Sequence, residues 1–133
     1  MKQVEVAAAV IIRDGKVFAA QRPDRGEVAL KWEFPGGKLE AGESGEEAVV
    51  REIREELKST IRVQKELGVV RHQYQTFFIV MHAYRCILVE GELPLSEHVA
   101  SRWLDADHLH SVDWADADRL LLDSVAKELA HAG

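Results

Sequence analysis

The sequence predicts an α/β fold: an α/β/α sandwich with a mixed β-sheet between two helices, formed by a single domain over residues 1–133. Three observations predict it. Runs rich in β-branched and aromatic residues lie on both sides of one amphipathic segment, and a second helical pattern ends the chain. A length of 133 residues with 47% hydrophobic content suits one buried core. No stretch has the composition of a linker or a repeat.

The first elements are predicted to form a β-hairpin. Val4–Ile12 and Lys16–Gln21 are strand-like runs, and Asp14-Gly15 between them is a strong signal for a two-residue turn. Trp32–Phe34 then forms a short extended segment, which the following proline and glycines end.

A loop and a helix follow. Ser44 is a good N-cap, and Glu47 stands three residues later, which is the spacing of a capping box. We therefore expect the residues from Gly36 to Glu43 to form a loop that leads directly into a helix beginning at Ser44.

The second half of the chain predicts three strands and a helix. Ile61–Arg71 and Thr76–Val89 have strand-like composition, and the second of them is long and apolar enough for a central strand. Ala100–Leu104 predicts a further short strand. Asp116–His131 carries leucine and alanine at helical spacing and predicts the second helix.

Composition restricts the classes of function. The formal charge is 17 − 23 = −6, which argues against a nucleic-acid polymer as partner. Cys86 is the single cysteine, so no internal disulfide forms, and its apolar neighbours predict a buried thiol. The sequence shows no secretory signal and no apolar run of membrane-spanning length, so we expect a soluble, cytoplasmic protein without a membrane partner.

Clustered carboxylates on the first helix are the strongest functional signal. Glu52, Glu55 and Glu56 stand at i, i+3 and i+4, so their oxygens point to one side of the helix. An ordinary solvated face is the alternative, but like charges at i and i+4 weaken a helix. Three hard oxygen ligands are instead what Mg²⁺ or Mn²⁺ requires. The pattern favours a divalent metal site.

The segment from Gly37 to Glu56 resembles the Nudix box, G-x5-E-x7-R-E-U-x-E-E-x-G-U, where U is aliphatic. The matching residues are Gly37, Glu43 and the run Arg51-Glu52-Ile53-Arg54-Glu55-Glu56. The sequence departs from the box at Lys58, where the motif has glycine, and at Ser59, where it has an aliphatic residue. Because that glycine would be a left-handed C-cap, we expect Lys58 to end the helix in another way.

The similarity extends over nearly the whole chain and indicates the MutT branch of the Nudix family. It is carried by Gln21-Arg22-Pro23, Trp32–Gly37, Glu97-His98, Arg102–Leu104 and Trp114–Asp118. The resemblance implies a Nudix-type sandwich and a Mg²⁺-dependent hydrolase, with Mn²⁺ as a substitute, that converts a (deoxy)nucleoside triphosphate into a monophosphate and pyrophosphate. It implies nucleotide-pool sanitation and DNA repair through 8-oxo-dGTP, with a monomer or homodimer as the assembly.

Two alternatives remain open at this point. A CTP, dCTP or 5-methyl-dCTP pyrophosphohydrolase is the first, because its flanking motifs are equally similar. A non-catalytic Nudix-like nucleotide-binding module is the second, and the intact glutamates argue against it.

The resemblance also implies roles for individual residues. The implied metal ligands are the Gly36 carbonyl, Glu52, Glu55, Glu56 and Glu97. Either Glu52 or Glu97 orients or deprotonates the attacking water, and the choice stays open. Arg51 pairs with Glu43 and braces the loop on the helix.

The nucleoside-binding predictions are Arg22, Phe34, Tyr74, Phe77 and Asp118. Arg22 lines the nucleotide site, and the aromatic residues stack on the base unless they are simply core. Asp118 reads the base edge, or else is a helix N-terminal aspartate. As a carboxylate it would accept hydrogen bonds only, which favours a base that presents a donor.

Overall fold

A computed structural model describes residues 2–131. Its strands are β1 (Lys2–Arg13), β2 (Lys16–Gln21), β3 (Trp32–Glu33), β4 (Gly36–Lys38), β5 (Thr60–Gln73), β6 (Phe77–Glu90) and β7 (Ala100–Leu104). Its α-helices are α1 (Gly45–Leu57), α2 (Asp116–Arg119) and α3 (Leu122–Ala130), and Ala106–Ser111 forms a 3-10 helix.

The strands form one mixed sheet in the order β3-β2-β1-β6-β5. β1 runs parallel to β6 and antiparallel to β2 and β4, while β7 pairs with β2. Asp14 and Gly15 join β1 to β2 with φ of 52° and 75°, the positive values that a type I′ hairpin turn requires. The predicted hairpin and the interior position of β6 are confirmed.

The two faces of β1 bury two separate cores. Alternate side chains of a strand point to opposite faces. Ala7, Ala9 and Ile11 therefore pack with α1, whose buried residues are Ala48, Val49, Ile53 and Leu57. Their neighbours Ala8, Val10 and Ile12 pack with Trp114 and the buried residues of α2 and α3. The predicted α/β/α sandwich is confirmed.

Helix α1 begins as predicted. The Ser44 hydroxyl accepts a hydrogen bond from the Glu47 N–H at 3.1 Å, and the Glu47 carboxylate accepts one from the Ser44 N–H at 2.9 Å. The capping box is therefore complete. It fixes where the carboxylate-bearing turns of the helix begin.

The expectation that Lys58 would avoid the left-handed conformation is wrong. Lys58 is the C-cap of α1 with φ 49° and ψ 36°. Its ammonium donates to the Glu55 carbonyl at 2.7 Å, so it satisfies an orphan carbonyl of the last turn and offsets part of the backbone cost. Ser59 is buried; its hydroxyl donates to the Leu57 carbonyl and accepts from the Leu93 N–H.

The C-terminal helix is not continuous, which corrects the prediction for Asp116–His131. The N–H groups of Leu120 and Leu121 bond to carbonyls three residues earlier, at Ala117 and Asp118. These tighter bonds separate α2 from α3. The structure also pairs Gly36–Lys38 with β1 as β4, where a loop was expected.

Two further expectations concern Cys86 and membranes. Cys86 is fully buried, as its apolar neighbours predicted, and burial raises the pKa of its thiol to about 12. Among residues 2–131, none of the helices has the length and apolar character needed to cross a bilayer.

Candidate active site

Most of the predicted site residues line one cavity of about 750 Å³. Its walls include Arg22, Phe34, Gly36, Glu52, Glu56, Tyr74, Phe77, Glu97 and Asp118. These residues come from separate parts of the chain, and the fold brings them together between the sheet and α1 at one end and near α2 at the other. Arg51 and Glu55 lie outside the cavity wall.

Two glycines let the loop approach the carboxylate end of the cavity. A Cβ atom on Gly37 would overlap the Glu52 carboxylate, and one on Gly36 would overlap the Ala7 carbonyl. Only glycine therefore allows the backbone of β4 to lie against β1 and against the helix carboxylate at once. The loop geometry and the position of Glu52 depend on each other.

Arg51 forms hydrogen bonds with the carboxylates of Glu43, Glu52 and Glu55. Its Nε and Nη2 donate to both oxygens of Glu43 at 2.7 and 2.9 Å, so the predicted Arg51–Glu43 pair is present and bidentate. These bonds lower the pKa of Glu43 to about 2. Nη1 donates to Glu52 at 2.8 Å and to Glu55 at 3.2 Å. Arg51 thus orients the Glu52 carboxylate from outside the cavity wall.

Glu55 differs in position from its neighbours. Its side chain is 59% exposed, against 13% for Glu52, and its nearest cationic partner is Arg51. The three helix carboxylates therefore do not all face the cavity. A ligand role for Glu55 stays a prediction that requires its side chain to turn toward the cavity.

The donor set fits a hard divalent cation. Burial raises the pKa of Glu56 to about 7, and the charge and hydrogen bond of Glu52 and the charge of Glu97 add to the effect. Within the described part of the chain no group of three acidic, histidine or cysteine side chains forms a ready-made ligand cage. Mg²⁺ needs no such cage, because it keeps several waters and binds through one or two carboxylates plus substrate phosphate.

Asp118 stands at the other end of the cavity, almost fully buried. One of its oxygens accepts the Phe34 N–H at 2.9 Å. Burial, followed by the nearby charge of Glu33, raises the pKa of Asp118 well above its usual range. Burial therefore disfavours the charged form of this carboxyl. The hydrogen bond from Phe34 is one that Asp118 accepts, and its role as an acceptor at the base edge stays a prediction.

The three aromatic candidates form part of the cavity wall and part of the core. Phe34 packs on Trp114 with ring centroids 4.5 Å apart. Tyr74 packs on Phe77 at 4.8 Å, and its hydroxyl accepts the Ala117 N–H at 2.9 Å. Phe34 and Tyr74 are buried, and Phe77 is only partly buried. Stacking of the base on these rings stays a prediction.

Two residues with clear contacts, Glu33 and Glu27, received no role from the sequence. Glu33 accepts hydrogen bonds from Arg22 at 3.1 Å and from His98 at 2.8 Å. Glu27 accepts from the backbone N–H groups of Gln75 and Thr76. A charged residue between two buried aromatics, as in Trp32-Glu33-Phe34, was the available signal for Glu33, but its partners are distant in sequence.

A family model described as the NUDIX domain matches residues 7–124. The chain belongs to the Nudix family. The recognition, the fold and the assignment as a Nudix hydrolase made from the sequence are confirmed.

Relatives of known name cover nearly the whole Nudix chain. A CTP pyrophosphohydrolase of Escherichia coli is 39% identical over 93% of this chain and 92% of its own length. A putative 8-oxo-dGTP diphosphatase 2 of Mycobacterium tuberculosis is 36% identical over 97% and 92%. The crystal structure of a MutT NUDIX hydrolase from Burkholderia pseudomallei superimposes with a TM-score of 0.83 at 31% identity, covering 92% of this chain and 98% of that one.

Proposed function

We propose that this Nudix hydrolase converts a (deoxy)nucleoside triphosphate into a nucleoside monophosphate and pyrophosphate, with 8-oxo-dGTP as its substrate. The observation that carries the proposal is a single cavity with Glu52, Glu56 and Glu97 at one end and Asp118 at the other. Such a cavity suits a molecule with a phosphate chain at one end and a hydrogen-bonding base at the other. The substrate is a free nucleotide in the cytoplasm, and the protein acts as a monomer or homodimer.

The cofactor in this proposal is Mg²⁺, for which Mn²⁺ can substitute. The residues that would hold one or more such ions are Glu52, Glu56, Glu97 and the Gly36 carbonyl, with Glu55 as a further ligand. When bound, a divalent ion neutralises phosphate charge and makes water a better nucleophile at neutral pH. Either Glu52 or Glu97 takes the proton from the attacking water, and Arg51 keeps Glu52 oriented through its 2.8 Å hydrogen bond.

Arg22 is placed to contact the nucleotide. Its Nη1 is bonded to Glu33, but its buried Nε has no partner among the described residues. A buried N–H without an acceptor is costly. Because this Nε is closed off from solvent, a substrate acceptor could reach it only after the side chain shifts. The proposed role of Arg22 therefore rests on its place in the cavity wall.

The base edge accounts for two candidate substrates. As a hydrogen-bond acceptor Asp118 would pair with a donor on the base. Oxidised guanine presents N7–H, and cytosine presents the N4 amino group. The second candidate function is therefore hydrolysis of CTP, dCTP or 5-methyl-dCTP, and the 39% identical CTP pyrophosphohydrolase favours it.

A substrate panel tests the proposal. The purified protein is incubated with normal and oxidised (deoxy)nucleoside triphosphates and 5-methyl-dCTP, with Mg²⁺ or with chelator, and kcat/KM and products are measured. We expect Mg²⁺-dependent release of pyrophosphate, with 8-oxo-dGTP preferred at least about tenfold over dGTP, a difference of about 1.4 kcal/mol in transition-state binding. Preference for cytosine nucleotides would select the second candidate. Nucleotide binding without Mg²⁺-dependent turnover would indicate a non-catalytic binding module.

A further inference from the structure

The carboxylate of Glu97 is carried by a segment without regular structure. Residues 91–99 connect β6 to β7, and they contain neither helix nor strand. Most of this segment is exposed, and so is Glu97 itself, although Glu97 lines the cavity. Leu93 is buried in the core, but residues 94–97 are exposed, so packing does not hold Glu97 in place and other contacts must keep it at the cavity.

Hydrogen bonds on both sides of Glu97 provide these contacts. On one side the Ser96 hydroxyl donates to the Glu56 carbonyl at 2.8 Å, which ties the segment to α1. On the other side His98 Nε2 lies 2.8 Å from the Glu33 carboxylate, which ties the segment to β3. The Val99 N–H also donates to the Gln21 carbonyl at 3.0 Å.

His98 is the most enclosed of these contacts. Its side chain is 7% exposed, although the residues beside it are exposed. Its partner Glu33 is held in turn, because Glu33 pairs with Ala20 in the sheet and its other carboxylate oxygen accepts from Arg22 at 3.1 Å. The imidazole therefore bonds to a carboxylate that has little freedom to move.

We infer that His98 is a positioning residue, which holds Glu97 at the phosphate end of the cavity through its hydrogen bond to Glu33. This inference rests on the proposed role of Glu97. Because Glu33 also binds Arg22, one carboxylate fixes groups at both the phosphate end and the nucleoside end of the site. Loss of the His98 bond removes the most enclosed of these contacts and leaves Glu97 less tightly positioned.

The kinetic test is a double-mutant cycle. His98→Ala, His98→Gln, Glu97→Gln and the His98→Ala/Glu97→Gln double variant are compared in Mg²⁺-dependent turnover of the preferred nucleotide. We expect His98→Ala to lower kcat about 10- to 100-fold with a much smaller change in KM, as for partners that orient a ligand. His98→Gln, which keeps an N–H donor, restores part of the loss. In the Glu97→Gln background, removal of His98 changes kcat by less than about threefold.

Amide hydrogen exchange of the metal-free protein gives a reading independent of turnover. We expect the Val99 amide to exchange at least about tenfold faster in His98→Ala, while amides of α1 remain unchanged. His82→Ala is the matched control, because His82 bonds to Glu5 at 2.7 Å in a similar histidine–glutamate pair that does not line the cavity. The control should alter neither kcat nor the exchange of Val99.

Each outcome decides a separate point. Wild-type turnover in Glu97→Gln overturns the proposed role of Glu97 and, with it, the inference. Impaired turnover in Glu97→Gln with unchanged kcat in His98→Ala overturns the inference alone, as does a double variant whose losses multiply. Ser96→Ala is the second variant in case His98→Ala fails to fold, because it removes only an exposed hydroxyl from the other attachment of the segment. A kcat loss in Ser96→Ala that is smaller than that of His98→Ala and disappears in the Glu97→Gln background supports the inference. A kcat loss that does not depend on Glu97 contradicts it.

Discussion

At the residue scale, Glu56 is the clearest test of the carboxylate end. It lines the cavity, lies near Glu52 and Glu97, and is half-buried. Glu56→Gln keeps the size of the side chain and removes its negative charge, so we expect kcat to fall more than about 100-fold, beyond the loss typical of an outer partner. Mg²⁺-dependent pyrophosphate release measures the effect, and circular dichroism verifies the fold.

The matched control is Glu46→Gln. Glu46 is an exposed glutamate in the first turn of the same helix and does not line the cavity. We expect it to retain wild-type turnover. If Glu56→Gln and Glu46→Gln behave alike, the carboxylates at the cavity have no special part in the reaction. Glu55→Gln in the same assay tests its predicted role as ligand.

Lys58 is the second residue whose environment leads to a test. A side chain in the left-handed conformation costs about 1–2 kcal/mol, and a β-branched one is worse. We expect Lys58→Val to lower the free energy of unfolding by at least about 1 kcal/mol. Lys58→Gly should leave the free energy of unfolding nearly unchanged. Glycine removes the strain of the left-handed backbone, and this gain offsets the lost hydrogen bond to Glu55 and the greater backbone freedom of glycine in the unfolded chain.

Urea denaturation of both Lys58 variants measures these free energies. Equal stability of the valine and glycine variants would show that the left-handed C-cap does not persist in solution. The same pair should leave turnover unchanged, since Lys58 does not line the cavity.

At the element scale, the loop after β2 is attached to the turn between β5 and β6. The Glu27 carboxylate accepts hydrogen bonds from the Gln75 N–H at 2.6 Å and from the N–H and hydroxyl of Thr76 at 2.9 and 2.8 Å. Both segments contribute side chains to the nucleoside end of the cavity, including Arg22 and Tyr74. These hydrogen bonds of Glu27 to Gln75 and Thr76, called the Glu27 clasp, thus join two walls of the site.

Glu27→Ala tests this clasp. We expect KM to rise about three- to tenfold with little change in kcat, because the variant loosens the nucleoside walls without touching the phosphate end. Asp24→Ala, in an exposed part of the same loop, is the control and should leave KM unchanged. A KM that is equal in wild type and Glu27→Ala would show that the loop does not need the clasp to form the site.

Helix α3 is attached to the sheet by charge as well as by packing. Glu128 pairs with Lys65 and Arg85, each at 2.8 Å, and these hydrogen bonds lower the pKa of Glu128. A carboxyl whose pKa is lowered in the folded state adds stability above its unfolded pKa of about 4.3. That stability is lost as the pH falls through the folded value.

Glu128→Gln measures the contribution. We expect it to reduce the free energy of unfolding at pH 7 by about 1.5–3 kcal/mol, the range for hydrogen bonds to charged groups. The difference from wild type should shrink as the pH is lowered below about 4. Urea denaturation at several pH values provides the comparison, and a difference that does not depend on pH would contradict the ionic origin.

At the scale of the whole molecule, local signals predicted most of the elements. The Asp14-Gly15 turn and the Ser44 capping box are each encoded within a few residues, so the hairpin and the start of α1 followed from the sequence. Burial on both faces of β1 could be expected from its unbroken apolar run. These features depend little on what the rest of the chain does.

Features made by long-range contacts could not be predicted in the same way. The Phe34–Asp118 hydrogen bond joins residues 84 positions apart, and the Glu33–His98 bond joins residues 65 apart. The first links Asp118 to the backbone just after β3, and the second links the segment of Glu97 to the sheet. The hydrogen bonds of Leu120 and Leu121 that separate α2 from α3 were likewise not signalled by the leucine and alanine spacing.

Residues from most elements of the fold line the cavity, so ligand binding should change the stability of the whole molecule. With a net charge of −6, the protein should bind a triphosphate poorly without a cation. We expect Mg²⁺ plus a non-hydrolysable analogue of the preferred nucleotide to raise the melting temperature by several degrees, up to about 10 °C at 100-fold excess over Kd, where binding adds about 2.7 kcal/mol. Mg²⁺ alone or the analogue alone should give a much smaller shift of the melting temperature in differential scanning fluorimetry. The Glu56→Gln variant should also show a much smaller shift when Mg²⁺ and the analogue are added together. Equal shifts with and without Mg²⁺ would mean that the phosphates bind without a metal, contrary to the role proposed for the carboxylates.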